Sequence, residues 1–425
     1  MDPGSPLARL AHGISWTAIG AFASRPLLLA GAMACARFLD PGAYGKLALL
    51  QSAVLTLGAF AGMGMATAVT KHLSELRQRD PARASRLLWL TLVLSVGSSA
   101  ATAILLVLFR HTVAEQWLAS ADIADLLPVT ALTLVFTVVA ATQSAALTGL
   151  EAYRPLAGCN FANGLLTAGF MIAGAASNGL AGALWGSALA GLLTALILGF
   201  VLRIEARRAG LSLVAPFTHA DISTALQAAV PLLIAGLIPP AVSTISSAML
   251  SRTPGGYAEL GVFSAADQWR VAILFLGRML AQPSLPILTD LYTARDYPGF
   301  RRMFGVNLIT AGPACAAAAV VLGLFGGRIM ALYGRAYAAH GEVLAYCCAG
   351  AALAAVSWVA AQALTGAGQY WLGVWLNTLW AVALLLLCYW WRDTGALGLA
   401  QAFLAAYLIH LVLSGAAVLR LAWAR

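Results

Sequence analysis

Twelve apolar stretches, each about the 20 residues that a helix needs to cross a hydrocarbon core, run the length of this chain. In the first half they lie at roughly 13–36, 46–69, 87–109, 126–149, 155–176 and 180–202. In the second they lie at roughly 224–250, 258–284, 304–325, 342–365, 369–391 and 396–419. Turn-forming residues punctuate them: Asp40-Pro41-Gly42, Arg79-Asp80-Pro81, Ser177-Asn178-Gly179, Thr253-Pro254-Gly255-Gly256 and Gly366-Ala367-Gly368. Only 10% of the 425 residues are charged and 61% are hydrophobic. A soluble domain carries about 25% charged residues, so this surface has to meet lipid. The expected fold is an all-α polytopic membrane protein of about twelve spans.

An even number of spans puts both termini on one side. Arg9, Lys71, Arg77, Arg79, Arg83, Arg86, Arg154, Arg203, Arg207, Arg208, Arg295, Arg301, Arg302, Arg420 and Arg425 fall in the loops of that side. The other side holds Arg37, Lys46, Arg110, Arg252, Arg328, Arg335 and Arg392. Positive residues concentrate in cytoplasmic loops, so both termini are expected in the cytoplasm. The net charge of +9 then follows from topology. It does not call for nucleic acid, since no arginine cluster is interleaved with aromatics. At the N-terminus, Arg9, an apolar run and Ala34-Cys35-Ala36 imitate a signal peptide. The run is too long and is broken by Arg25-Pro26, so it reads as a retained first span.

A shift of 213 residues lays Pro41-Gly42-Ala43-Tyr44 over Pro254-Gly255-Gly256-Tyr257, and Pro26 over Pro239. Both prolines, expected to bend their helices, lie in the first span of a half. Six spans per half is an even number, so the halves enter the membrane in the same orientation. The expectation is two parallel-repeat six-helix bundles around a central cavity: residues 1–205, a cytoplasmic linker at 206–221, and residues 222–425.

Charges inside spans cost at least about 2.5–3.5 kcal/mol and mark wet cavities or paired sites. Arg25 lies in the first span. Asp267, Arg270 and Arg278 lie in the eighth, and at 100° per residue all three share one face. Three arginines against one aspartate make a basic interior that suits an anion, and the planar fork of Arg suits phosphate. Two readings of the pair stay open: Asp267 couples to an ion, or it neutralises Arg270. Arg25 is either a ligand or an interhelical clamp. Arg278, nearer the cytoplasmic end, is a secondary anion contact or reaches the interface.

Other patterns are discounted. Six cysteines sit inside apolar stretches without C-x-x-C spacing, and no H-E-x-x-H occurs, so neither metal nor cofactor is expected. No Walker A motif is present. The loops are too short to house a catalytic site, which argues against an enzyme. Gly58-xxx-Gly62 and Gly182-xxx-Gly186 read as helix-contact faces.

Several segments carry a family likeness: Arg37-Phe38-Leu39-Asp40-Pro41-Gly42-Ala43-Tyr44-Gly45, Gly62-Met63-Gly64-Met65-Ala66, Gly261-Val262-Phe263-Ser264-Ala265-Ala266 and Pro286-Ile287-Leu288-Thr289-Asp290-Leu291-Tyr292. With the span count they resemble the polysaccharide biosynthesis/O-antigen translocase family of the multidrug/oligosaccharidyl-lipid/polysaccharide flippase superfamily. The resemblance implies alternating access in a bacterial inner membrane. It also implies a polyprenyl-pyrophosphate-linked oligosaccharide as the cargo, flipped from cytoplasmic to periplasmic leaflet. By the same likeness, Arg25 and Arg270 inherit contact with the pyrophosphate. Twelve spans, without the two further C-terminal ones of the lipid II branch, favour an O-antigen, capsule or exopolysaccharide unit. One rival is a cation-coupled multidrug exporter, which needs acidic cavity residues where this chain is basic. Another is a membrane-embedded glycosyltransferase or polymerase, which needs catalytic carboxylates or a large extracytoplasmic loop.

Overall fold

Residues 6–62, 64–118, 120–216, 236–281 and 284–423 are described by the computed structural model, and among them there is no strand. The long helices of the first half are α1 (Pro6–Phe38), α2 (Pro41–Gly62), α3 (Met65–Leu76) and α4 (Pro81–Leu108). After the short α5 (Arg110–Thr112) come α6 (Leu127–Gly149), α7 (Tyr153–Arg208) and α8 (236–251). The second half holds α9 (Gly256–Ala281), α10 (Ser284–Thr293), α11 (Tyr297–Leu324), the short α12 (Gly326–Ala331), α13 (Gly341–Gly366), α14 (Tyr370–Trp390) and α15 (Gly395–Trp423). The end of the expected linker (217–221), the start of the second bundle at 222, the opening of the seventh span (224–235), Met63 and Arg425 lie outside the described residues.

Among the described residues, eight helices are long and apolar enough to cross a membrane, and the bent pair α9–α10 makes a ninth. One of the eight, the 56-residue α7, is two spans. Asn178 (φ −145°, ψ 33°) and Gly179 (φ 53°, ψ −134°) leave helical geometry inside it. Gly174 packs against Gly182, and Gly186 against the Phe170 backbone. Contacts that close symmetrically about residue 178 are those of an antiparallel hairpin, turned where Ser177-Asn178-Gly179 predicts. Gly182 and Gly186 are thus helix-contact glycines. With α1 and α8, the described residues of each of the twelve apolar windows fall on helices, and the protein has the all-α polytopic architecture that the sequence predicts.

Helix entries are written in local chemistry. The Asp80 carboxylate accepts the Arg83 N–H at 2.9 Å, with Pro81 in the first turn of α4. Asp296 does the same for Gly299 at 2.9 Å in α11, and Asp40 for Ala43 at 3.0 Å in α2. Each cap satisfies an amide that helix geometry leaves unpaired, worth about 0.5–2 kcal/mol.

One window breaks where a single span is expected. The stretch 46–69 divides between α2 and α3, because Gly64 takes a left-handed conformation (φ 69°) that only glycine adopts without strain. Hydropathy averages across such a break and conceals it. Beyond it, α3 is amphipathic: Met65, Ala68, Val69, His72 and Leu73 are buried, and Lys71, Ser74 and Glu75 are exposed. Gly58 and Gly62, expected as a contact face, both line a cavity of about 310 Å³; a Cβ on Gly58 would meet Val138 of α6 at 3.6 Å, whereas nothing lies within 4 Å of where a Gly62 Cβ would be.

The chain packs as two compact units, Met1–Leu39 with Leu49–Thr244, and Asp40–Ala48 with Ile245–Arg425. In the first, α1 runs parallel to the opening half of α7. Gly20 meets Ala157, Ser24 meets Gly164 and Gly31 meets Ala168, each close enough that a Cβ on the glycine would touch backbone. In lipid, where burial of apolar surface adds little, such close approach is what holds helices together. Ser95 and Thr142 join α4 to α6 by a 2.8 Å hydroxyl bond. The Thr244 hydroxyl of α8 bonds those of Ser52 and Thr56 at 2.6 and 2.7 Å, which seats that part of α8 in the first unit.

In the second unit α13 packs against α9, α11 and α15. A Cβ on Gly277 of α9 would fall 2.6 Å from the Ala355 Cβ and 3.3 Å from the Cys315 Sγ. The buried set Leu288, Phe300, Ala363, Leu364, Leu376 and Val418 closes one end. The outer surfaces are greasy: Leu108, Ile309, Leu324 and Trp390 are each more than 70% exposed. Lipid, not water, suits such a surface.

Candidate functional site

A guanidinium placed inside a span needs partners, and in the second unit Arg270 has them. It lies on α9 and is only 8% exposed. One turn earlier on the same helix, Asp267 accepts the Arg270 Nε–H at 2.5 Å. Nη1 donates to the hydroxyl of Tyr407, on α15, at 3.4 Å. The guanidinium carbon sits 4.9 Å from the centre of the Phe403 ring. Phe403 stacks in turn on Phe263 with ring centres 5.6 Å apart, and Trp380 of α14 stacks on Tyr407 at 5.4 Å. The charge is thus held in an aromatic frame whose negative ring faces favour a cation, with one carboxylate for neutrality.

The three charges that share a face of α9 by spacing divide in the fold. Asp267 and Arg270 form an ion pair whose side chains are 26% and 10% exposed. Arg278 is exposed and lies over the Trp358 ring of α13 at 4.7 Å. It does not join the pair. Cation–π contact with an aromatic is a common resting place for an arginine at the edge of a bundle.

Arg25, in the first unit, is exposed on α1, as is the neighbouring Pro26. The helix continues through that proline. Gly20, Ser24 and Gly31 form the stripe that packs on α7, and at 100° per residue Arg25 lies about 120° away from it. The contact of α1 with α7 therefore runs along a different face of α1 from Arg25. Pro239, the counterpart of Pro26 at the 213-residue offset, is likewise exposed within α8. Among the described residues no group of three His, Cys, Asp or Glu is placed to hold a metal ion. All six cysteines are buried and free.

Sequence reasoning finds the charged members of the Arg270 site and misses its walls. Tyr407, Phe403 and Trp380 come from spans 110 or more residues away, and aromatics inside an apolar run carry no signal that separates a lipid anchor from a lining group. The i, i+4 spacing of Phe403 and Tyr407 puts two aromatics on one face of α15, and that is the one hint available.

Comparison with known proteins bears on the fold and the family. The chain is 25% identical over 384 residues to the EPS I polysaccharide export inner membrane protein EpsE of Ralstonia nicotianae, covering 87% of this chain and 84% of that protein. Its fold is that of the lipid II flippase MurJ in an inward closed conformation, with a TM-score of 0.76 at 14% identity, over 95% of this chain and 87% of MurJ. An inward-facing multidrug resistance MATE family transporter of the MOP superfamily superposes with a TM-score of 0.74 at 15% identity, over 93% and 94% of the two chains. These likenesses establish an all-α polytopic fold shared with such transporters. A family model described as polysaccharide biosynthesis protein matches residues 10–292, well over half of the chain, and the protein belongs to that family.

Proposed function

We propose that the protein is a flippase that moves a polyprenyl-pyrophosphate-linked oligosaccharide, an O-antigen, capsule or exopolysaccharide unit, from the cytoplasmic to the periplasmic leaflet. The observation that carries this reading is intramembrane arginine in a family member: Arg25, exposed on α1, and the buried Arg270 on α9. Family membership supplies the polysaccharide context, and the export function named for EpsE supports a step at the inner membrane. An excess of intramembrane arginine favours a phosphate-bearing cargo over the cationic substrates of a multidrug exporter.

The two arginines enter the proposal differently. Arg25 is exposed on α1, on a face set about 120° from the stripe that packs on α7. Arg270 already has a carboxylate and a phenol as partners, so an incoming phosphate has to exchange with Asp267. That exchange gives Asp267 a role in either open reading: it neutralises Arg270 at rest, and on release it is available to a cation. Alternating access, repeats at 1–205 and 222–425 joined by a cytoplasmic linker at 206–221, cytoplasmic termini and the absence of catalysis complete the proposal.

Complementation of surface-polysaccharide assembly in a flippase-deficient strain tests it, with protein level checked by immunoblot. Arg25→Ala is expected to be severe and Arg25→Lys intermediate, because Lys keeps the charge and loses the planar fork. Loss of one hydrogen bond to a charged group costs about 1.5–3 kcal/mol, tenfold or more in cargo affinity. If Arg25→Ala and Arg270→Ala both reach normal levels and restore normal polysaccharide, the pyrophosphate assignment fails.

A further inference from the structure

The C-terminal end of α7 carries a basic cavity that the transport reading does not use. Its volume is about 600 Å³, and its lining is Arg203, Arg207 and the turn 210–214. Both arginines are exposed, and neither has an acidic partner among the described residues. Arg208 differs, being held by Glu205 at 2.7 Å.

The wall opposite the arginines is built from ordered backbone. Gly210 ends the helix with φ 71°, and the Leu211 N–H returns to the Ala206 carbonyl at 2.8 Å. The Ser212 N–H is pinned to the Ser85 hydroxyl of α4 at 3.0 Å. Leu211 is buried, while Val214 stands 72% exposed at the rim.

Below the arginines the same helix face is apolar. At 100° per residue, Leu196, Phe200, Arg203 and Arg207 fall within about 60° of one another. Leu196 and Phe200 are 60% and 67% exposed. From Leu196 to Arg207 the helix rises about 16 Å. One stripe therefore runs from bare apolar surface to two guanidiniums, in the order of acyl chain and headgroup in a phospholipid.

We propose that this stripe and cavity form a binding site for an anionic glycerophospholipid carrying two phosphates, a cardiolipin-type headgroup. Arg203 and Arg207, one turn apart, each take a phosphate, and the acyl chains lie along Phe200 and Leu196. Basic pockets at the ends of transmembrane helices are suited to such headgroups, and paired guanidiniums match phosphate geometry. A bland alternative exists: cations near a helix C-terminus also stabilise its dipole. That role needs no ligand and no greasy stripe. The site stands independently of the cargo assignment, since it uses neither Arg25 nor Arg270.

The test is native mass spectrometry of the purified, delipidated full-length protein titrated with cardiolipin or with zwitterionic phosphatidylethanolamine. The wild type is expected to bind cardiolipin at least tenfold more tightly. The double variant Arg203→Gln/Arg207→Gln is expected to lose that preference, and Phe200→Asn to weaken cardiolipin severalfold, while the distant Arg302→Gln keeps it. Thermal unfolding without lipid shows that the variants fold, and the single variants Arg203→Gln and Arg207→Gln replace the double one if it does not. Unchanged cardiolipin binding by the folded variants overturns the proposal. So does full displacement of cardiolipin by an equal concentration of inorganic pyrophosphate, which would mean a bare anion site. Displacement by undecaprenyl pyrophosphate at a tenfold lower concentration would make it a cargo site, and overturns it too.

Discussion

Gly45 and Gly261 meet backbone to backbone: a Cβ on Gly45 would lie 2.9 Å from the Gly261 amide nitrogen, and one on Gly261 would lie 3.2 Å from the Gly45 amide nitrogen. Those Cβ positions also run into the carbonyls of Tyr257 and Pro41 respectively. Pro41 and Tyr257 belong to the two turns that a 213-residue shift superposes, so the sequence repeat is also a spatial contact. It lies within the second unit, which includes Asp40–Ala48. Lys46 reinforces it from α2, 5.4 Å from the Tyr257 ring centre.

Backbone cannot yield as a side chain does. Gly45→Ala and Gly261→Ala are therefore each expected to destabilise the protein by about 1–3 kcal/mol, the usual cost of overpacking. Gly62→Ala, with nothing within 4 Å, is the control and should be neutral. Thermal unfolding of the purified variants measures this, and equal midpoints for all three would remove the contact as a determinant of stability.

The span positions were legible because the bilayer imposes one length on every helix that crosses it. The hairpin in α7 was legible for a related reason: Ser177-Asn178-Gly179 is a turn signal inside an otherwise continuous apolar run. The break at Gly64 was not, since its cause is one backbone dihedral between two apolar segments. The Asp267–Arg270 pair followed from i, i+3 spacing, a local rule. Tyr407 and Phe403 did not, because what brings them to Arg270 is the packing of α15 on α9. The same applies to Glu259, whose carboxylate accepts the Ala396 N–H at 2.8 Å at the start of α15, a cap supplied from 137 residues away.

His72 predicts a pH dependence. It lies on α3, beyond the end of the second span, and is 7% exposed. Burial lowers its pKa from the ordinary 6.5; Glu75 opposes the shift, and Lys71 and Arg83 add to it. An unfolded chain takes up a proton near pH 6.5 that the folded chain still refuses. Stability is therefore full above that pH and is lost as pH falls from 6.5 towards the lower folded-state pKa. His72→Gln should flatten unfolding midpoints measured between pH 7.5 and 5. An undiminished slope in the variant would assign the effect to another group.

The excess of positive residues in one set of loops predicts cytoplasmic termini. Reporter fusions after Arg79, Arg208 and Arg425 should read as cytoplasmic, and those after Arg110, Arg252 and Arg392 as periplasmic. A consistent inversion would reverse the proposed direction of the protein in the membrane.

The Asp267–Arg270 pair separates structure from transport. Removing one partner of a buried pair leaves a charge uncompensated and costs about 3–5 kcal/mol. Asp267→Leu should therefore lower the amount of folded protein, because among the described residues Arg270 would keep the 3.4 Å bond to Tyr407 and the Phe403 ring but no carboxylate. Replacing both, Asp267→Leu with Arg270→Met, exchanges the pair for apolar groups of similar size, and such exchanges are often neutral or stabilising. The double variant is expected to recover the thermal midpoint of the wild type. If Arg270 also binds cargo, that recovered protein stays inactive in complementation, since no guanidinium remains to meet phosphate. Tyr407→Phe is the milder probe: it removes one long hydrogen bond, keeps the stacking with Trp380, and should cost about 1 kcal/mol or less. A double variant that is both stable and fully active would reduce Arg270 to a structural charge and leave Arg25 alone in the proposed phosphate site.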